Sequence, residues 1–116
     1  MPGGSVPLYE AKAELFRALG HPVRIRVLEL LSEREHAVHE LLAVLDVEAS
    51  SLSQQLALLR RLGLVRQQRV GGAVVYSLRV AETAELLAVA RRVLRARLVD
   101  QDELVRQLGP TPQATA

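Results

Sequence analysis

Cysteine is absent from this chain, so disulfides, thiolate metal sites and a cysteine nucleophile are all excluded. No apolar run approaches the roughly 18 residues that a membrane span needs. The opening residues, MPGGSVPLYE, lack the charged start and apolar stretch of a secretory signal, so a soluble, cytoplasmic protein is the expectation. No nucleophile beside a base, phosphate-cradling glycine loop or cofactor motif can be found. Glu29, Glu33 and Glu35 lie around a predicted helix end and read as solvated rather than as paired carboxylates for acid–base work. No enzyme activity and no cofactor are expected.

One further absence is local. Residues 49–81 contain no Asp or Glu, yet hold Arg60, Arg61, Arg66, Arg69 and Arg79. The whole chain carries a formal charge of only +2. Its middle segment is therefore a concentrated positive patch inside a nearly balanced protein.

At 116 residues and 49% apolar side chains, the chain has the size and composition of one folded domain. Residues 1–7 hold two prolines and two glycines and read as a loose tail, as do residues 109–116; the domain would occupy 8–108. A first helix is predicted from Leu8 to near Gly20, with Leu8, Ala11, Leu15, Ala18 and Leu19 on its apolar side. His21 and Pro22 open the second, because proline is favoured at the first helical position. Val23, Val27, Leu28, Leu30 and Leu31 form its apolar face. It gives way to a charged stretch over 32–36, read as a solvated turn.

A short helix over 38–45, a turn over 46–48 and a longer helix over 49–62 follow. Two helices joined this closely form a helix-turn-helix. In the second of them Leu52, Leu56, Leu59 and Leu62 repeat at four and three. Ser50, Ser51, Ser53, Gln54, Gln55 and Arg60 fall largely off that stripe. Runs over 64–70 and 73–78 read as strands joined through Gly71 and Gly72, a pair that tolerates positive φ. The last helix is expected from Glu82 to about Leu108, with a break near Asp100. Its apolar residues spread too widely for one small domain to cover, which points to a partner surface. Tyr9 and Tyr76 read as interface or core residues.

Hydrogen-bonding side chains without carboxylates, beside a cationic hairpin, suit a polyanion with readable edges, and the expectation is duplex DNA. Gln54 can donate and accept at once, which matches the adenine edge in the major groove. Gln55 is a second candidate, or a residue turned toward the preceding turn. Ser50, Ser51 and Ser53 are placed for phosphates or bases. Arg60 and Arg61 are expected on phosphate. Arg69, next to Gly71 and Gly72, would bring the hairpin to a minor groove or to backbone. Taken singly, arginines are more often solvated surface charges or helix C-terminal charges than phosphate ligands, so about two or three of the five are expected on DNA.

The stretches ALGHPVRIRVLELL (18–31), VHELLAVLDVEASSLSQQLALLRRLGLV (38–65) and RVGGAVVYSL (69–78) resemble the ArsR/SmtB family of winged-helix repressors. That resemblance implies a mainly α fold with a small β-hairpin wing, a winged helix-turn-helix. It also implies a homodimer joined through the first and last helices on a pseudo-palindromic, double-stranded operator. Leu8 and Leu15, with Leu86, Leu87, Ala90, Val93, Leu94 and Leu98, are the candidate interface residues. Many members sense metals, but the positions matching the thiolate site are Ala37, His39 and Leu42. Residues 84–99 hold no histidine, and Glu85 is their only carboxylate. An alternative metal site would use His36 and His39 with Glu35 or Glu40 of either subunit, binding Zn²⁺ or Ni²⁺. A winged helix used only for protein–protein contact is the remaining alternative.

Overall fold

A computed structural model of the chain describes residues 6–109. Its elements are α1 (Leu8–Leu19), α2 (Pro22–Glu33), β1 (His36–Ala37), α3 (Val38–Val44), α4 (Ala49–Arg61), β2 (Val65–Val70), β3 (Ala73–Leu78) and α5 (Glu82–Leu108). Among the described residues, those up to Ala84 form one compact unit and those from Glu85 onward form another. The expected tails fall mostly outside the described residues. No helix among the described residues is long and apolar enough to cross a membrane.

The first unit is a helical layer on a small antiparallel sheet. Its core is aliphatic: Val27, Leu28 and Leu31 from α2, Leu41 from α3, Leu52, Leu56 and Leu59 from α4, with Val65 and Tyr76 from the sheet. The spacings of three and four in α2 and α4 place these side chains on one face of each helix. Among the described residues no buried polar side-chain atom lacks a hydrogen-bond partner.

His21 caps α2 in a way its chemistry explains. With extended backbone at His21, Nδ1 accepts from the Val23 N–H at 3.1 Å, and Pro22 then starts the helix without an amide to satisfy. At the far end of α4, the Gly63 N–H donates to the Arg60 carbonyl and the Leu64 N–H to the Leu59 carbonyl, each at 3.0 Å. This is the Schellman arrangement, and it needs Gly63 at φ +78°. A Cβ there would meet only ordinary van der Waals contact, 3.6 Å from an Arg79 nitrogen. Gly63→Ala is thus expected to cost about 1 kcal/mol, from the backbone alone; a urea unfolding curve measures it.

Three expectations need correction. The 32–36 stretch is not wholly a solvated turn, because His36 is 4% exposed and opens β1. There His36 pairs with Tyr76 and Ala37 with Val75, giving the sheet order β1-β3-β2. A two-residue strand is too short to show an alternating pattern. The final helix runs unbroken through Asp100 to Leu108. Lastly, β2 starts at Val65, since Leu64 closes the end of α4.

Candidate nucleic-acid interface

Four residues, 45–48, separate α3 from α4, as in a helix-turn-helix. The Leu45 N–H still bonds back to Leu41, at 2.9 Å, while the Glu48 carbonyl accepts from Leu52, at 3.0 Å. At the start of α3, Glu40 reaches back to the Ala37 N–H at 2.8 Å and receives Arg34 at 3.3 Å. The Ala37 hydrogen bond, helped by the Arg34 guanidinium, holds the Glu40 carboxyl below the usual carboxylate range.

With Leu52, Leu56 and Leu59 buried, α4 turns its opposite side outward. Ser50, Ser53, Gln54, Ala57 and Arg61 are exposed at intervals of three and four, so they form a single stripe along one helix face. Arg60 is exposed beside it, and Ser51 is half-buried.

Gln55 departs from the expectation of a base reader. It is half-buried, and its Oε1 accepts from Arg24 of α2 at 2.8 Å. No sequence periodicity could show this, because Arg24 lies 31 positions away.

In the wing, β2 and β3 pair in register from Val65 with Leu78 to Val70 with Ala73. Gly71 and Gly72 make the turn at φ +55° and +85°, the doubly positive geometry that two-residue hairpins favour. Arg69 is exposed near the tip, its guanidinium reaching only a marginal 3.5 Å contact with the Gly72 carbonyl. Gln67 was missed in the sequence. It pairs with Tyr76 and lines a cleft of about 470 Å³ together with Ser53 of α4 and Leu42 of α3. The helix and the wing thus share one recess. The period of two along β2 places Gln67 and Arg69 on the same sheet face, a signal that was available but unused.

The ion pairs among the described residues are Arg26–Glu29, Arg34–Glu40 and Arg106–Glu103. None draws on Arg60, Arg61, Arg66, Arg69 or Arg79, so the charge of the acid-free segment stays unneutralised by near carboxylates.

The histidine pair fares differently. His36 is buried, and its Nδ1–H donates to the Arg34 carbonyl at 2.9 Å; His39 is exposed on α3. Among the described residues no group of three or more His, Asp or Glu could hold a metal ion. Within one subunit, His36 and His39 are thus not joined by a third donor among the described residues.

Of the candidate interface residues on α1, Leu8 is exposed and Leu15 half-buried; Tyr9 and Phe16, which carry more apolar area, are exposed too. On α5, Leu86 and Leu87 are half-buried, while Ala90, Val93, Leu94 and Leu98 are exposed.

Comparison with known proteins agrees with this geometry. The family model described as "Bacterial regulatory protein, arsR family" matches residues 21–67. The HTH-type transcriptional regulator Rv0081 of Mycobacterium tuberculosis is 50% identical over 112 residues, covering 96% of this chain and 98% of that protein. Its crystal structure superposes with a TM-score of 0.77 at 54% identity, over 84% of this chain and 98% of that one. The HTH-type transcriptional repressor SmtB of the same organism is 41% identical over 71 residues, 61% of this chain and 53% of that protein. The homodimeric winged helix-turn-helix DNA-binding domain of Mb0332 from Mycobacterium bovis matches with a TM-score of 0.71 and 28% identity, over 84% and 94% of the two chains. With a match this extensive to Rv0081, and a winged helix-turn-helix that carries a cationic wing, the chain belongs to the arsR family of DNA-binding transcriptional regulators.

Proposed function

We propose that this regulator is a cytoplasmic, homodimeric repressor that reads a pseudo-palindromic operator through α4. The observation that carries this reading is the exposed stripe Ser50–Ser53–Gln54–Ala57–Arg61 on the face of α4 opposite its buried leucines. A helix of this kind fits the major groove. Gln54 is assigned to a base edge, Ser50, Ser51 and Ser53 to phosphates or bases near the helix start, and Arg60 and Arg61 to phosphate. Gly71 and Gly72 let the wing tip approach the duplex closely, with Arg69 beside them on backbone or in the minor groove. Gln55 is left out, because Arg24 already engages it.

A second copy is supported by the apolar side chains that α1 and α5 leave in solvent, Tyr9, Phe16, Val93, Leu94 and Leu98 among them. The homodimeric Mb0332 domain supplies the same expectation by likeness, and the repressor SmtB supports the reading as a repressor. Two-fold symmetry would set the reading helices about 34 Å apart, or a multiple of that, one DNA turn between half-sites.

Selection from a random duplex pool, with light scattering on the purified protein, tests the reading. A recovered inverted repeat bound by two copies is the expected result; sequence-blind binding, or a monomer, overturns it. Arg69→Ala is then expected to weaken all duplexes alike and to lower the slope of log affinity against log salt by about 1. A titration at several salt concentrations reads both.

A further inference from the structure

Arg24 sits in the first turn of α2, half-buried, and its guanidinium serves three acceptors on two other helices. Nε donates to the Ala18 carbonyl and the first terminal nitrogen to Gln55 Oε1 at 2.8 Å. The second terminal nitrogen donates to the Arg17 carbonyl at 3.2 Å. The carbonyls of Arg17 and Ala18 belong to the last turn of α1, where the ladder of helical N–H donors ends; the Arg17 carbonyl also accepts from the Gly20 N–H at 3.1 Å, so Arg24 is its second donor. A cation there is also favoured by the helix dipole. One edge of the guanidinium, Nε with the second terminal nitrogen, is thus anchored on α1, which fixes the plane of the fork and the direction left to the first terminal nitrogen. That direction ends on Gln55 of α4.

We infer that Arg24 is a positioning residue for DNA recognition, one that sets the rotation of α4 about its axis by tying Gln55 to the end of α1. The inference rests on the proposed reading of DNA by α4. Leu52, Leu56 and Leu59 anchor α4 through apolar packing, which is non-directional. A charge-assisted hydrogen bond to a planar fork is directional and specifies one orientation. Gln54 is the next residue back, about 100° around the helix, so its position in the groove follows the same setting. Turning α4 by about 20° would carry a side-chain tip, at a radius of about 5–6 Å, through about 2 Å. A bidentate contact to a base does not survive that displacement. Arg24 itself needs no contact with DNA.

The test compares two probes, the duplex selected by the wild-type protein and a scrambled duplex of equal length, for Arg24→Met, Arg24→Lys, Gln55→Leu and the Arg24→Met/Gln55→Leu double variant. The readout is the ratio of the two affinities. Loss of folded protein lowers both affinities equally and leaves that ratio unchanged. Each single variant is expected to lower the ratio about tenfold, scrambled-duplex affinity and salt slope holding within about twofold. The double variant should fall no further than either single one, because all three remove the same bond.

An unchanged ratio in Arg24→Met beside a loss in Gln55→Leu would make Gln55 a base reader and overturn the inference, as would additive losses in the double variant. Equal weakening on both duplexes with a shallower salt slope would make Arg24 a phosphate contact, with the same consequence. Should Arg24→Met fail to fold by circular dichroism, Arg24→Lys, which keeps the charge and loses the fork, decides on the same ratio beside Gln55→Leu. A wild-type protein that selects no sequence overturns the underlying reading as well, whereas a selective wild type with an unaltered Arg24→Met ratio overturns this inference alone.

Discussion

Leu52→Ala is expected to destabilise the fold by about 2–5 kcal/mol, as large a loss as any single leucine truncation in α4. The Leu52 side chain is 0% exposed in the first full turn of the helix that carries the exposed Ser50–Arg61 stripe. Removing its branched end leaves a void that its neighbours Leu56 and Leu59, themselves buried, cannot fill without moving the helix. Domains of this size are commonly stable by about 5–15 kcal/mol, so the loss is a large share of the whole. Urea unfolding at one fixed protein concentration measures it, since a dimer's stability depends on concentration. Leu62→Ala is the control: Leu62 is 45% exposed just past the end of α4 and should change stability by about 0.5 kcal/mol or less. Similar losses from both would mean that α4 does not pack through the stripe described.

Gln54→Ala is expected to leave the fold intact and yet cost about 1–3 kcal/mol of discrimination at one base-pair position. Gln54 is exposed, and alanine is, if anything, the better helix former, so thermal unfolding should not change downward. The effect should appear when each position of the selected duplex is varied in turn: the variant becomes indifferent at one position in each half-site and stays selective elsewhere. This profile differs in kind from that of Arg69→Ala, whose loss should be uniform over sequences. Were both substitutions to weaken every duplex alike, the division between base-reading helix and backbone-holding wing would be wrong.

The helices were legible because their signals are local. The leucines of α4 recur at helical spacing, Pro22 marks the start of α2, and Gly63 can take the positive φ that closes α4. The wing announced itself through Gly71 and Gly72 between two β-branched runs. The cationic segment needed nothing beyond counting charges along the chain. These features depend on neighbours within a few residues, where geometry is nearly independent of the rest of the molecule.

Long-range partnerships were another matter. That His36 and Ala37 would leave a charged stretch to become the third strand was decided by β3, which offers its free edge 40 positions later through Tyr76 and Val75. Likewise the sequence ranked Gln55 below Gln54, as a second base candidate or a residue turned toward the preceding turn, but its partner on α2, Arg24, was set by packing. Periodicity ranks residues by face, but it cannot say which distant donor will meet them there, because that meeting depends on helices crossing in three dimensions. Chain order was enough for the helix-turn-helix, its wing and their charge; packing supplied the distant partner that engages Gln55 and leaves Gln54 exposed.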